Sequence, residues 1–343
     1  MDAPVDLETL AGWMDSQGLG SGSIEQVERL AGGTQNILLK FQRSGRTYVL
    51  RRPPPVLRAN SNETMRREAR VLAALSGTGV PHPGLIAACE DEAVPGAAFY
   101  LMEPVDGFNA TQGLPDPFAS SPDLRHQMGL SLVDGIAALG AVDYVAVGLT
   151  GLGKPENYLE RQVSRWKAQL ESYAEIPEWD GRKDLQGVNR IGDWLDEHRP
   201  SGFRAGIIHG DYHLANVMFR FDTPKLAAIV DWELTTIGDP LLDLGWLLAT
   251  WPEESDRSDA GTVAVQPWEG FPTTEELVAR YASQSDRDLS GIHWYGVLAC
   301  YKLGIILEGT YARACAGKAP KATGDDLHRR TIWLLERALR WIS

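Results

Sequence analysis

Two apolar stretches that end in polar residues carry the strongest chemical signal in this chain. Ile207-Ile208 leads into His209-Gly210-Asp211, and Leu226 to Val230 leads into Asp231. Asn216 follows Asp211 by five residues. Transfer of a phosphoryl group from ATP needs a carboxylate that orients and deprotonates the attacking hydroxyl, together with oxygen ligands for Mg²⁺. The spacing therefore predicts Asp211 as the catalytic base and Asn216 and Asp231 as the Mg²⁺ ligands.

Three further residues are expected to support this loop. His209 ends the first apolar stretch and is expected to hold the loop, and a structural role is favoured for His213. The alternation of His209, Asp211 and His213 also permits a hydrolytic transition-metal site, although seven histidines supply no clear second cluster of ligands. Asp243, in Leu242-Asp243-Leu244, is expected to hydrogen-bond the loop backbone, with simple helix capping after Pro240 as the alternative.

The pattern His209-Gly210-Asp211-x-His213-x-x-Asn216 followed by Asp231 resembles the aminoglycoside phosphotransferase/choline kinase superfamily. The resemblance implies an α+β, two-lobed protein-kinase-like fold with a small β-rich N-lobe and a larger, mostly helical C-lobe. It also implies ATP and Mg²⁺ as cofactors. Five other segments resemble the subgroup related to the kinase-like domains fused to acyl-CoA dehydrogenases, so that the likeness runs from about Val27 to Ala338: Tyr48 to Pro53, Arg67-Glu68, Asn157 to Gln162, Gly238-Asp239-Pro240, and Tyr301-Lys302 through Arg313.

The spacing of apolar residues agrees with such a division. It predicts an N-lobe of residues 1–103 and a C-lobe of residues 104–343, joined at Pro104 and Gly107. The C-lobe is expected to be helical from Pro122 to His198, to form three strands between Gly206 and Glu233, and to be helical again afterwards except near 252–272. The helices and strands predicted for the N-lobe are helices Leu7–Gln17 and Asn62–Leu75 and strands Ile24–Leu30, Ile37–Gln42, Thr47–Arg51, Leu85–Glu90 and Ala97–Glu103.

Nucleotide-binding residues are predicted in the N-lobe. The turn that contains Gly32, Gly33 and Asn36 could lay backbone N–H groups over the phosphates. The alternative is an ordinary hairpin turn that binds no nucleotide. Arg51 stands where a kinase strand supplies Lys to the phosphates, and Glu68 on the next helix can pair with it. Met102 and Glu103, at the joint between the lobes, would contact adenine mainly through the main chain.

The acceptor pocket is less defined by the sequence. One interpretation places Arg161, Trp166, Lys302, Glu308 and Arg313 around a pocket that faces Asp211, and the other makes Ile292–Arg313 a core helix with long polar side chains. Aromatic walls and a cation suit an amphiphilic hydroxyacyl compound, the class that the acyl-CoA dehydrogenase resemblance suggests. An aminoglycoside would need several carboxylates, so an antibiotic kinase is the alternative, together with a non-catalytic nucleotide-binding pseudokinase.

Composition limits the partners and the compartment. The chain has 343 residues, 43% of them hydrophobic, and a net charge of -13, which disfavours nucleic acid and anionic membranes as partners. Its three cysteines show no paired spacing, and no signal peptide or membrane-spanning segment is evident, so a cytoplasmic protein is expected. The expected substrate is a small-molecule alcohol, as the predicted phosphoryl transfer requires. The oligomeric state is left open. No P-loop or dinucleotide-binding glycine motif is present.

Overall fold

The computed structural model describes residues 5–30, 36–57, 59–94, 96–252, 263 and 265–343, which form two compact units. Unit 1 comprises the described part of Met1–Gly107 together with Asp143–Leu152 and Ala227–Thr235. Unit 2 comprises the described parts of Phe108–Val142, Gly153–Leu226 and Thr236–Ser343. A single domain boundary after Glu103 stays a prediction. Unit 1 also includes two segments from later in the chain, one of which carries Asp231.

Unit 1 is built on an antiparallel sheet of five strands in the order β1-β2-β3-β5-β4. Every predicted strand and helix of this region is present, with ends within two residues of those expected. The α+β class, with a small antiparallel sheet and a larger helical part, is confirmed. The bounds in unit 1 are α1 Leu7–Ser16, β1 Glu25–Arg29, β2 Ile37–Arg43, β3 Arg46–Arg52, α2 Ser61–Leu75, β4 Leu85–Cys89 and β5 Phe99–Met102.

The two helices of unit 1 cover opposite faces of the sheet. Leu10 and Met14 of α1 share a buried apolar cluster with Leu50 of β3. Successive strand residues point to opposite faces, so Arg51 faces away from that cluster. It meets Glu68 of α2 there, with 2.9 Å between Arg51 Nε and Glu68 Oε2. The alternation along β3 thus explains why an arginine is buried beside an otherwise apolar strand.

Arginines of α2 tie the two later segments into unit 1. Arg67 Nη2 donates to the carbonyl oxygens of Leu152 at 3.0 Å and Thr235 at 3.1 Å. Arg70 donates to main-chain carbonyl oxygens of the 143–152 segment at 2.7 and 2.8 Å. These bonds satisfy carbonyl groups of irregular backbone, which would be costly to bury unpaired. They account for the discontinuous composition of the unit.

Unit 2 is mainly helical. A strand that the sequence analysis missed, Thr236–Gly238, pairs antiparallel with Gly206–Ile208, so the prediction of helix directly after Glu233 is wrong there. A three-residue strand carries no periodic signal of its own and depends on its partner. The remaining bounds, numbered along the chain, are α3 Pro122–Ala141, α4 Glu160–Ser172, α5 Val188–Glu197, β6 Gly206–Ile208, β7 Val217–Phe219, β8 Leu226–Ile229, β9 Thr236–Gly238, α6 Leu241–Thr250, α7 Thr274–Gln284, α8 Ile292–Cys315 and α9 Lys321–Trp341. Residues 227–229 of β8 belong to unit 1.

Helix α6 packs unusually close to α8. A Cβ atom at Gly245 would lie 2.6 Å from the main-chain carbonyl carbon and oxygen of Tyr295, which is closer than real Cβ contacts. Only glycine allows this approach. Among the described helices, none combines the length and the apolar composition needed to cross a membrane.

Candidate active site

The loop that follows β6 is held by its main chain. All three residues of β6 are buried, so the chain enters the loop from the interior of unit 2. Gly210 has a φ of 89°, a conformation that residues with a Cβ disfavour. Asp243, in the first turn of α6, accepts hydrogen bonds from the N–H groups of His209 at 2.7 Å and Gly210 at 2.9 Å. The bonds expected of Asp243 are therefore present, immediately before Asp211.

Three side chains contact the Asp211 carboxylate. Its Oδ1 accepts a hydrogen bond from Trp246 Nε1 at 3.0 Å and lies 3.3 Å from His213 Nε2. Its Oδ2 accepts one from the Asn216 amide at 3.0 Å. Burial opposes the charge of Asp211, but His213, the nearby His209 and the Asn216 bond together lower its pKa to about 2. The carboxylate is therefore ionised at neutral pH.

The two loop histidines both accept hydrogen bonds from the main chain. His209 Nδ1 accepts from the N–H of Asp211 at 3.3 Å, and His213 Nδ1 accepts from the N–H of Ala215 at 3.1 Å. With Nδ1 accepting, the ring proton lies on Nε2, which in His213 is directed at Asp211. Nowhere in the part of the chain that the structure describes do three His, Cys, Asp or Glu side chains gather as a metal site. The transition-metal alternative finds no support there.

Asn216 is oriented by its amide nitrogen. Nδ2 donates to the main-chain oxygen of Asp211 at 2.9 Å as well as to its carboxylate. The Asn216 N–H donates to the carbonyl of His213 at 2.9 Å and closes a short 3₁₀ turn. This leaves the amide oxygen of Asn216 as the atom that can accept a cation. An amide oxygen beside a carboxylate is a ligand type that suits Mg²⁺.

In unit 1, Arg51 lies within an acidic cluster. Besides Glu68, it contacts Asp231, with 2.6 Å between Nη2 and Oδ1, and Glu233 at 3.9 Å. The Tyr100 hydroxyl donates to Glu68 Oε2 at 2.7 Å. Burial opposes the charge of Arg51, but the surrounding carboxylates outweigh it and raise its pKa. The predicted Arg51–Glu68 pair is present, and Asp231 is a further partner of the same guanidinium.

Asp231 adopts a conformation that is rare for a residue with a side chain. Its φ of 67° and ψ of 63° lie in the left-handed region, just after β8. Such backbone strain is concentrated at functional sites. The side chain of Asp231 is 38% exposed, so its carboxylate can be reached by a solvated cation.

The remaining nucleotide-binding candidates are only partly described. Gly32 and Gly33 lie outside the described residues. Asn36 is half-buried and directly precedes β2. Its position at the start of a strand that pairs along its whole length with β3 is the one expected for a residue at the end of the predicted phosphate turn.

Hydrogen bonds within unit 1 limit which main-chain groups near the predicted adenine contacts, Met102 and Glu103, can bind a ligand. Met102 ends β5, and the N–H of Glu103 donates to the carbonyl of Gly84 at 2.8 Å. That N–H is therefore already used, and Glu103 can offer only its carbonyl oxygen. Because Pro104 has no N–H, the next main-chain donor along the chain belongs to Val105.

Of the five proposed acceptor residues, Lys302 lies near Asp211 and Trp166 lies beside Lys302. Lys302 Nζ is 4.5 Å from the ring centre of Trp246, 5.6 Å from that of Trp166 and 3.5 Å from the carbonyl oxygen of Gly210. Burial lowers the pKa of Lys302 to about 8, although Asp211 and a second carboxylate favour its charged form. Lys302 therefore keeps most of its charge at neutral pH.

The other three proposed acceptor residues have different partners. Glu308 is fully buried and accepts hydrogen bonds from Trp179 Nε1 and His328 Nδ1, each at 2.7 Å. Arg161 is exposed and donates to two main-chain carbonyls that precede it. Arg313 is exposed and donates to a threonine hydroxyl one turn earlier. Their contacts indicate structural roles rather than an acceptor pocket.

Two residues at the site escaped the sequence analysis. Trp246 contacts the carboxylate of Asp211, and Tyr100 contacts that of Glu68. Trp246 follows Asp243 by three residues on the same helix, so it was the one candidate that a helical projection from the loop-binding aspartate could have found. Tyr100 looks like an ordinary strand residue, and nothing in its spacing marks it.

Comparison with known proteins agrees with this geometry. The model of the phosphotransferase enzyme family, APH, matches residues 26–277. The chain belongs to this phosphotransferase family. Among solved structures, a protein assigned to the aminoglycoside phosphotransferases from Ralstonia eutropha is 31% identical, with a TM-score of 0.81 and 98% of both chains covered. The aminoglycoside phosphotransferase APH(4)-Ia in complex with AMP-PNP and hygromycin B is 14% identical, with a TM-score of 0.62 over 96–98% of the two chains, and shares the fold.

The sequence relatives of this family member are longer proteins. Acyl-CoA dehydrogenase family member 10 from Mus musculus is 28% identical over 329 residues, which are 93% of this chain and 30% of that protein. The chain spans 30–44% of the length of the first curated relatives that it matches. The resemblance to the superfamily and to the acyl-CoA dehydrogenase-linked subgroup is thus confirmed, and so is the kinase-like fold.

Proposed function

We propose that this member of the phosphotransferase family transfers the γ-phosphoryl group of ATP to a hydroxyl group of a small molecule. The observation that carries the proposal is the ionised Asp211, held by Asn216 and His213 in a loop of kinase-like spacing. Family membership supports the reaction class. The neighbour solved with AMP-PNP supports ATP as the donor.

In this proposal Asp211 acts mainly by orientation. A carboxylate with a pKa of about 2 is a weak base towards an alcohol. In phosphoryl transfer the bond to the leaving group is largely broken before the new bond forms, so the attacking oxygen becomes acidic late. Asp211 accepts a hydrogen bond from the hydroxyl, aligns its oxygen with the γ-phosphorus and takes the proton as the P–O bond forms. The products are a phosphate monoester and ADP, and the proton passes to solvent.

We assign nucleotide binding to the residues that the sequence predicts for it. Arg51, held by Glu68, would bind phosphate oxygens, with Gly32, Gly33 and Asn36 as main-chain or amide contacts. Asn216 and Asp231 are the proposed Mg²⁺ ligands, and both fit, because each offers a hard oxygen that the described contacts leave able to bind a cation. Mg²⁺, when bound, neutralises the charge of the phosphates. The main chain of Met102 and the main-chain carbonyl oxygen of Glu103 are assigned to adenine.

The acceptor is proposed to be a hydroxyacyl compound. Lys302 lies close enough to Asp211 for that carboxylate to favour the charged form of the lysine, and the exposed Arg165 adds a second cation 5.2 Å from the Trp166 ring. Glu308, the carboxylate that could have favoured a polycation, is buried and already paired. The names of the acyl-CoA dehydrogenase relatives support the same class. Hygromycin B in the distant neighbour keeps an aminoglycoside as the second candidate.

Two further assignments belong to the proposal. The presence of Asp211, Asn216 and Asp231 together favours a working kinase over a nucleotide-binding pseudokinase, which would not need all three. A cytoplasmic location is proposed because all three cysteines are free thiols, as expected in a reducing compartment that also supplies ATP.

The test is an ADP-release assay with Mg·ATP against a panel of hydroxyacyl compounds and aminoglycosides. We expect Asp211→Asn to lower kcat by roughly 100-fold or more, with Mg·ATP affinity near that of the wild type. Asp231→Asn should weaken Mg·ATP binding itself. Asp222→Asn is the matched control, because Asp222 is an exposed carboxylate of the same unit as Asp211 that pairs with Arg220.

Each part of the proposal can fail separately. Full turnover in Asp211→Asn would remove Asp211 from its role. Mg·ATP binding without ADP release in the presence of any acceptor would identify a pseudokinase. Phosphorylation of aminoglycosides with no response to hydroxyacyl compounds would reverse the acceptor preference. Equal Mg·ATP affinity in Asp231→Asn and the wild type would exclude Asp231 as a ligand.

A further inference from the structure

Trp246 approaches Asp211 with a group that can only donate. Its indole Nε1 donates to Asp211 Oδ1 at 3.0 Å, and the side chain is nearly fully buried. An indole N–H cannot accept a proton, and each carboxylate oxygen keeps a further lone pair. Trp246 therefore fixes the direction of the Asp211 carboxylate without competing for the proton of an acceptor hydroxyl.

Helix α6 holds both the backbone and the side chain of the catalytic loop. Asp243 binds the N–H groups just before Asp211, and Trp246, three residues later, binds the Asp211 carboxylate. Residues three apart lie on the same face of a helix. The close approach of Gly245 to Tyr295 presses this helix against α8. A single rigid element therefore sets the position of the loop and the rotamer of its aspartate.

Lys302 of α8 restrains the indole from its ring face. Nζ lies 4.5 Å from the centre of the Trp246 ring, within the range of a cation–π contact. The same Nζ is 3.5 Å from the carbonyl oxygen of Gly210. A cation in this place favours the ring orientation that aims Nε1 at Asp211. The Lys302 side chain is half-buried, and a cation–π contact strengthens as the cation is withdrawn from water.

We infer that Trp246 is a positioning residue for Asp211 and that Lys302 stabilises its indole in that position. The inference rests on the proposed phosphotransfer, because it assigns Trp246 an effect on the step that Asp211 serves. Trp246 acts through Asp211 and not on the nucleotide. Its loss should therefore lower kcat and leave the KM for Mg·ATP nearly unchanged, which is not the pattern of a generally loosened fold.

The experiment compares two Trp→Phe variants of the full chain in Mg·ATP hydrolysis, with water as the acceptor and ADP release as the readout. Trp246→Phe keeps a ring beside Lys302 but loses the N–H. Trp251→Phe is the matched control, since Trp251 is equally buried at the end of α6 and donates its N–H to the Pro272 carbonyl at 2.8 Å. We expect kcat to fall roughly 10- to 100-fold in Trp246→Phe. In Trp251→Phe it should stay within about threefold of the wild type.

A second pair of variants tests the role of Lys302 and does not depend on the folding of Trp246→Phe. Lys302→Met removes the cation, whereas Lys302→Arg keeps a charged group that can stack on an indole. We expect Lys302→Met to lower kcat more than Lys302→Arg, at similar KM for Mg·ATP. A wild-type kcat in Trp246→Phe or in Lys302→Met would overturn the corresponding assignment. If water gives no turnover, the same variants are compared with the acceptor that the panel identifies. Absence of ADP release from the wild-type protein with water and with every acceptor of the panel would instead refute the proposed function, and this inference with it.

Discussion

Asp243 and His209 are joined by a hydrogen bond of 2.7 Å, in which a buried carboxylate of α6 accepts a main-chain N–H of the loop that carries Asp211. The second carboxylate oxygen accepts the N–H of Gly210 at 2.9 Å. Burial raises the pKa of Asp243, while the nearby His209 and the two N–H groups oppose that rise. The loop thus depends on a buried carboxylate, each of whose two oxygens accepts one main-chain hydrogen bond.

Asp243→Asn is expected to destabilise the protein and to slow turnover. The amide presents one NH₂ group to a main-chain N–H, so one buried donor loses its acceptor. Such losses cost about 1–3 kcal/mol of the free energy of unfolding. Urea unfolding and ADP release measure the two effects. Asp123→Asn, an exposed acid in the first turn of α3, is the control, and an Asp243→Asn variant as stable as that control would contradict the prediction.

The Arg51–Glu68 pair is expected to act as a unit in nucleotide binding. Glu68 holds the guanidinium from α2, and Tyr100 holds Glu68 in turn. Arg51→Met and Glu68→Gln should each raise the KM for Mg·ATP, because the remaining partner loses its orientation or its charge balance. A double-mutant cycle on this KM should give a coupling energy of about 1–3 kcal/mol.

The control for that cycle is an exposed pair of the same unit. Arg66 and Glu92 lie 2.7 Å apart, and both side chains are partly exposed. Solvent-exposed pairs couple by about 0–1 kcal/mol, and this one lies outside the proposed site. Simple additivity of Arg51→Met and Glu68→Gln, as in the Arg66 and Glu92 variants, would show that the contact does not serve nucleotide binding.

Those parts of the candidate site that lie close together in the sequence can be predicted from residue types and spacing. Asp211 and Asp231 each follow an apolar strand, which periodicity predicts, and Asn216 stands five residues after Asp211, so the order along the chain suffices to propose all three. Asp243 could be predicted as a loop-binding residue because it follows Pro240 at the start of a helix. The N-lobe strands were predicted closely for the same reason.

What the sequence could not supply depends on contacts between distant segments. The bond from Trp246 to Asp211 joins residues 35 positions apart. Helical spacing from Asp243 places Trp246 on the same face of α6 but does not specify Asp211 as its partner. Strand β9 exists only because β6 pairs with it. Glu308 looked available on its helix, yet Trp179 and His328 reach it from elsewhere in the chain. Tertiary packing decided each of these outcomes.

Glu308 and His328 form a buried acid–base contact between α8 and α9. Their Oε2 and Nδ1 atoms are 2.7 Å apart, and His328 Nε2 lies 3.6 Å from Asp184 Oδ2. The Tyr311 ring stacks on the imidazole with 4.2 Å between centroids. The hydrogen bond to Glu308 raises the pKa of His328 against the opposing effect of burial, and Asp184 adds to the rise.

This contact predicts a pH-dependent contribution to stability with a defined sign. Because the folded protein binds the His328 proton more tightly than the unfolded chain does, the contribution is complete below the unfolded pKa of about 6.5 and is lost as pH rises through the higher folded value. The difference in the free energy of unfolding between wild type and His328→Asn should therefore shrink as pH rises from about 6.5 through the higher folded pKa. Chemical denaturation at a series of pH values measures it. In a Glu308→Gln background, with the partner charge removed, the same difference should fall off at lower pH. A wild-type advantage over His328→Asn that stays constant or grows with pH would show that the imidazole is not held in its charged form.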